Sequence, residues 1–287
     1  MFEKIFDIFN KTINNIRIQP FRNALRSTLY NMLQKDAVNN YILMLAKNSK
    51  YNIKTIKELL NNFEIIDNNI QCAHSRIEFY IMHAMILTLP IEGPIVELGC
   101  FKGGSTAKFS LLCELTGRKL YVFDSFEGLP PPGHEDLKHN LVPWTYGRET
   151  VEYSEGAYAG SLNEVKDNIK KYGCIDACNF IKGYFQDTLP NFKENPASIF
   201  MDVDYIESAR TALKHLWPKL LPGGIFFTHE TLSINFIEAI TNIQWWENEL
   251  NENPPLLYGA GYGTCWRWGH FVFPSNIAYF KKPNVVE

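Results

Sequence analysis

The chain reads as an α/β protein: a mostly parallel sheet covered by helices on both faces, with an antiparallel strand near the C-terminus and an α-helical region in front. Three observations carry that expectation. Short apolar runs alternate with helix-patterned segments beyond residue 94, the arrangement of a parallel sheet. Polar residues close these runs at their carboxyl ends, namely Glu97, Asp124, Asp202, His229 and Glu230. The stretch Pro94 to Ser105 reads as strand, glycine turn and helix, with Gly99, Gly103 and Gly104 in the turn. Such a turn brings backbone N–H groups up against a ligand.

Residues 1–69 read as a helical N-terminal region and residues 70–287 as the main domain. Phe2, Ile5, Phe6, Phe9, Ile13 and Ile16 repeat at helical spacing. Between Ile8 and Lys35 the charges are all basic: Lys11, Arg17, Arg22, Arg26 and Lys35. A helix lying weakly on an anionic membrane surface is one reading. Packing against the domain or a second copy in a homo-oligomer is preferred, because a hydrophobic stripe is more often a packing face. Helical patterning continues over 41–66, and the polar cluster at 67–69 suggests a hinge. Ser75 to Leu89 reads as one buried helix, with His74 and His83 as packed residues of it.

Beyond the glycine turn, Thr106 to Leu115 reads as a helix closed by Gly117, and Lys119 to Asp124 as a strand. Gly133 to Gly160 has little periodicity, the mark of a lid or binding loop. Ser161-Leu-Asn-Glu164 is a capping box whose helix stops at Gly173. Asn179–Gly183 and Ser198–Asp202 read as strands, Glu207 to Trp217 as a helix, and Pro222 to Glu230 as a strand. One long helix, Ile234 to Leu250, precedes two aromatic strands, His270–Phe273 and Ile277–Phe280.

Composition narrows the classes. A 46% hydrophobic fraction over 287 residues supports a substantial core. A net charge of −3 makes no case for nucleic acid. Six cysteines form no C-x-x-C pair, which points to reduced thiols and a cytoplasmic protein. The start lacks the pattern of a secretory signal. His83 interrupts the longest apolar run, which is too short to span a bilayer.

Ligands of such sheets bind at the carboxyl edge of the strands. Asp124, at the end of the second strand, can accept both hydroxyls of a ribose. The glycines do not follow G-x-G-x-x-G, and only Lys102 is available in the turn for a phosphate. A ribose grip without a phosphate grip suits S-adenosylmethionine better than NAD or ATP.

Five motifs in order then resemble the macrocin O-methyltransferase family: Val96 to Ser105, Phe123 to Pro132, Gly183 to Pro190, Met201 to Ser208, and Leu221 to Gly224. The resemblance spans roughly residues 90–232. It implies a Rossmann-like class I methyltransferase sheet and S-adenosylmethionine as the methyl donor. It further implies a small-molecule hydroxyl acceptor, a sugar or glycoside. Glu97, Gly99, Phe101, Gly103 and Ser105 would cradle the methionine part. Asp124 would hold the ribose, with Ser125 and Phe126 beside it, and Tyr184, Phe185, Gln186 and Asp187 would line the adenine.

The same resemblance implies a divalent metal, Mg²⁺, Mn²⁺ or another, held by Asp202 and an acidic pair after the next strand. Here the chain departs, with His229-Glu230 where two aspartates are usual. Asp202, His229 and Glu230 could still bind a cation, with preference shifted away from Mg²⁺. Alternatively His229 is a metal-free general base. Asp204 positions the acceptor or caps the next helix. Trp144, Tyr146, Tyr258, Tyr262, Trp266 and Trp268 are aromatic candidates for stacking on the acceptor. The rival readings are a cofactor-binding module with a degenerate metal site, and a nucleotide-sugar oxidoreductase, which the missing G-x-G-x-x-G opposes.

Overall fold

The computed structural model describes residues 38–284 except 75, 135, 137–144, 147–148, 151–153, 232, 261–265, 269–270 and 274. The basic helical stretch before residue 38 therefore lies outside the described residues, as do Trp144, Tyr262 and the side chains of Tyr146, Trp266 and Trp268. The chain falls into two compact units: Met1–Glu58 with Arg267–Val272, and Leu59–Trp266 with Phe273–Glu287.

The described part of the first unit ahead of residue 59 is helical. Helix α1 covers residues 38–48, and Tyr41, Ile42 and Leu45 are its buried residues. Asn52 then ends the break by accepting the Thr55 N–H at 3.0 Å, a side-chain N-cap for α2 (Ile53–Asn69). The polar residues 67–69 form the last turn of α2 and not a hinge. Their i, i+4 bonds continue the helix: the Asn69 side chain donates to the Ile65 carbonyl at 2.7 Å.

In the second unit α3 (Arg76–Leu87) leads into β1 (Ile95–Leu98), α4 (Gly104–Thr116) and β2 (Leu120–Asp124). A short hairpin follows, β3 (Thr145–Tyr146) and β4 (Glu149–Thr150), then α5 (Leu162–Tyr172), β5 (Cys178–Lys182) and the single turn α6 (Phe185–Thr188). Next come β6 (Ser198–Met201), α7 (Ile206–Leu216) and β7 (Ile225–Thr228). The chain continues through α8 (Ile234–Ile240) and α9 (Ile243–Leu250), then β8 (Trp266–Trp268) and β9 (Phe271–Phe273), a two-stranded pair that falls mostly in the first unit, and ends the second unit's sheet with β10 (Ala278–Lys281). Among the described residues no helix is long and apolar enough to cross a membrane.

Six strands form one sheet in the order β10-β7-β6-β1-β2-β5. Every pair is parallel except β10 with β7. The central strands β1, β6 and β7 are buried at every position, as helices on both faces require. On one face α7, α8 and α9 enclose Trp217, Trp246 and Phe280, with the two indoles edge to face at 5.3 Å.

The capping box holds as read, since the Ser161 hydroxyl accepts the Glu164 N–H at 3.2 Å. The single helix expected over 234–250 is instead two. Thr241 bonds back to the Ile237 carbonyl at 2.6 Å, and Asn242 caps a new start by accepting the Trp245 N–H at 2.8 Å. Local side-chain bonds of this kind compete with a continuing helix.

Candidate active site

The sheet's strand order reverses between β1 and β6, and a crevice opens there beyond the strand ends. Gly99 follows β1 with φ +82°, and a Cβ on it would stand 2.0 Å from the Asp202 carbonyl oxygen after β6. Only glycine allows the two strand ends so close. Above this junction lies a cavity of about 650 Å³, lined entirely by residues of the second unit.

One half of the cavity is built from backbone. Asp124, at the end of β2, accepts the Cys100 N–H at 2.7 Å and the Phe126 N–H at 2.6 Å. Its carboxylate thus ties the glycine turn to the following loop. Burial pushes the Asp124 pKa up, against the pull of those amides. Ser125 donates to the Gly128 carbonyl at 2.7 Å and accepts the Glu127 N–H at 3.0 Å, closing the loop on itself. Gly99, Phe101, Asp124, Ser125, Tyr184, Phe185 and Gln186 all line the cavity. Glu97, Gly103, Ser105, Phe126 and Asp187 do not line it. Glu97 is wholly buried beneath the turn, and burial lifts its pKa to about 7. Neither of its carboxylate oxygens meets a partner in hydrogen-bond geometry, although the Ser105 and Thr106 hydroxyls face it.

The other half is a cluster of charged side chains. Asp202, Asp204, His229 and Glu230 line it together. His229 Nδ1 stands 3.2 Å from Glu230 Oε1 and 3.4 Å from Asp202 Oδ1. His74, expected to be a packed residue of a helix, instead precedes α3 and enters this cluster, its Nε2 2.8 Å from Asp202 Oδ2. Its ring meets the His229 ring edge to face at 4.7 Å. Glu78, in the first turn of α3, also lines the cavity and stands 3.8 Å from His229 Nε2. Neither His74 nor Glu78 belongs to any strand-end motif. The one available signal was their spacing, His74-x-x-x-Glu78, just ahead of a buried helix. His83, by contrast, is packed as expected: its Nδ1 donates to the Phe79 carbonyl, and burial pushes its pKa down to about 3.

Charge in the cluster is strongly ordered. Burial alone would raise the Asp202 pKa, but His229 and His74 outweigh it and hold the carboxyl well below its ordinary range. Burial opposes charge on His74, yet Asp202 lifts it to about 10, and Asp202 with Glu230 raises His229 in the same way. Burial, then the neighbouring carboxylates, pushes Asp204 well up and Glu230 to about 7. Three residues along the wall carry left-handed backbone without being glycine: Phe101, Tyr158 and Asp204, at φ 48°, 55° and 61°. Such conformations persist where the surroundings impose them. Of the aromatic residues considered for the acceptor, Tyr258 stacks on Tyr279 at 5.0 Å and is not part of the lining.

Sheet order, the antiparallel edge strand and the crevice at the switch point together define the class I S-adenosylmethionine-dependent methyltransferase architecture. Within it the chain belongs to the macrocin-O-methyltransferase (TylF) family, whose model matches residues 77–267, and it is an S-adenosylmethionine-dependent O-methyltransferase. A relative from Streptomyces olivaceus, 8-demethyl-8-(2,3-dimethoxy-alpha-L-rhamnosyl)-tetracenomycin-C 4'-O-methyltransferase, is 32% identical over 63% of this chain and 68% of its own. Mycinamicin III 3''-O-methyltransferase of Micromonospora griseorubida is 26% identical over 72% of this chain and 81% of its own. The solved O-methyltransferase NovP superposes with a TM-score of 0.51 at 20% identity, over 83% of each chain, a likeness of fold.

Proposed function

We propose that the chain transfers the methyl group of S-adenosylmethionine to a hydroxyl of a glycoside-type small molecule. The carrying observation is one cavity that joins the Asp124 half to the Asp202–His229 cluster. The donor is already activated: the acceptor oxygen forms a bond to the methyl carbon, the sulfonium C–S bond breaks, and the hydroxyl proton leaves to a nearby base. What the protein must supply is alignment, exclusion of water and relief of the proton. Asp124 would grip the ribose, Tyr184, Phe185 and Gln186 the adenine, and the glycine turn the methionine end. Asp202, Asp204 and His229 would orient the acceptor hydroxyl, and the Asp202 carboxylate, the one of the three held deprotonated, would receive its proton. The sugar reading is supported by the names of the two relatives, one a methyltransferase of a rhamnosyl-bearing tetracenomycin and the other of mycinamicin III.

The cluster fits a divalent cation. Asp202, Asp204 and Glu230 bring ligand oxygens within 4.8 Å of one another, and the buried Glu230 Oε2 has no hydrogen-bond partner. Asp202, Asp204 and Glu230 would supply its oxygen ligands, and the ion when bound would make the hydroxyl more acidic. The proposal is tested by calorimetry with S-adenosylhomocysteine, then by mass spectrometry of candidate glycosides. A mass gain of one methylene on a glycoside supports it. Binding of S-adenosylhomocysteine with methylation confined to non-sugar acceptors would overturn the glycoside part.

A further inference from the structure

We propose that His74 is a cation ligand, completing with Asp202 and His229 a nitrogen-bearing site that selects a transition metal such as Mn²⁺ or Zn²⁺ over Mg²⁺. The inference deepens the methyltransferase reading and leans on it only for what the ion does, not for its binding. The His74 side chain is 4% exposed and reaches Asp202 at 2.8 Å, yet its Nε2 has no hydrogen-bond partner. The two groups stand side by side outside hydrogen-bond geometry. Ligand atoms around a metal at about 2.1 Å lie roughly 3.0–3.4 Å apart along the edges of an octahedron or tetrahedron. His74 Nε2 stands 2.8 Å from Asp202 Oδ2 and His229 Nδ1 stands 3.4 Å from Asp202 Oδ1, separations close to those edges for a carboxylate offering one oxygen beside each imidazole.

The far side of His74 is arranged as a ligating imidazole needs. Its Nδ1 faces Cys72 Sγ at 3.6 Å, which leaves Nε2 for the cluster. Cys72 in turn stands 3.9 Å from the Lys108 ammonium, which is paired with Asp67. Phe79 and Phe200 meet the ring edge-on at 5.4 and 5.2 Å, fixing its plane. His83 is the packed counterpart: its buried Nε2 also lacks a hydrogen-bond partner, but its neighbours are Phe63, Phe79 and Phe109, and among the described residues it joins no group of ligand atoms that could share an ion. Asp202 belongs both to the His74–His229 trio and to the trio with Asp204 and Glu230. An ion there would meet imidazole nitrogen as well as carboxylate oxygen. Imidazole suits Mn²⁺, Fe²⁺ and Zn²⁺, whereas Mg²⁺ demands oxygen.

The test uses the full chain, stripped with chelator and titrated calorimetrically with Mn²⁺, Zn²⁺ and Mg²⁺, with S-adenosylhomocysteine titrated separately. Mn²⁺ and Zn²⁺ are expected to bind at least ~10-fold more tightly than Mg²⁺. Electron spin-echo modulation of the Mn²⁺-loaded protein should show directly bound imidazole nitrogen. His74→Ala should weaken Mn²⁺ by roughly 10–100-fold and reduce the nitrogen modulation, with S-adenosylhomocysteine affinity retained. If that variant fails to fold, His74→Asn replaces it, and the wild-type spectrum must show two bound imidazole nitrogens, one more than His229 alone supplies. No ion binding, Mg²⁺ bound as tightly as Mn²⁺, no nitrogen modulation, or modulation unchanged in His74→Ala would each overturn the inference. A protein that binds Mn²⁺ through nitrogen but ignores S-adenosylhomocysteine would keep this site and lose the methyltransferase reading instead.

Discussion

The two halves of the cavity are made differently. The Asp124 half consists of turns, amide donors and one carboxylate that organises them, and all of its residues follow β1, β2 or β5 directly. The Asp202 half consists of charged side chains that lean on one another's charge yet leave Glu230 Oε2 and His74 Nε2 without a hydrogen bond, drawn from the ends of β6 and β7 and from the start of α3 and the segment before it. A backbone-built site tolerates changes in neighbouring side chains. A side-chain cluster holds its charges only as a set, because each buried group depends on its partners.

That contrast can be broken in four ways. The largest effect is expected from Asp202→Asn, which removes the charge between two imidazoles. Methyl transfer should fall by about 10²–10³-fold, while S-adenosylhomocysteine affinity stays near wild type. Parallel loss of both would mean that the halves are not separable. Lys108→Met comes next. It removes the buried cation that pairs with Asp67 and stands behind Cys72, and breaking a buried pair costs about 3 kcal/mol or more, read as a drop in urea-midpoint stability. Gly99→Ala should damage both halves at once. Its backbone sits at φ +82° and its new Cβ would collide with Asp202, so a loss of about 2 kcal/mol is expected, with weaker S-adenosylhomocysteine binding.

The smallest effect is set by pH. His83 is held neutral, its pKa driven to about 3 by burial, while in the unfolded chain it titrates near ~6.5. Between these values the unfolded state binds the extra proton. The stability that His83 confers is therefore complete above about 6.5 and is lost as pH falls toward 3. The slope is at most about 1.4 kcal/mol per pH unit. Urea melts at pH 7 and pH 5 should show it, and His83→Gln should flatten it.

The backbone half was open to reading in the sequence because strand-end position and glycine spacing report directly on backbone course. Gly99 and Asp124 could be placed from the apolar runs before them, Tyr184 from the family resemblance, and the parallel sheet from the alternation of strands and helices. His74 and Glu78 could not, because nothing local to residues 72–78 says which strand end they will meet. Only the packing of α3 brings them to Asp202 and His229. The split at Thr241 and Asn242 was hidden for a similar reason: the apolar period runs through it, and two side-chain bonds override that period. Glu97 had the right residue type at the right strand end, yet its carboxylate lies under the turn and not in the cavity wall.

The central claim is that the rim of the sheet binds the adenosyl donor through Asp124. Calorimetric titration of S-adenosylhomocysteine into the wild-type chain and Asp124→Ala tests it most directly. One equivalent should bind to the wild type, and hydrogen bonds to a charged group at about 1.5–3 kcal/mol put the variant roughly 10–100-fold weaker. Equal affinity in a variant that still folds, or no binding to the wild type, would contradict the account.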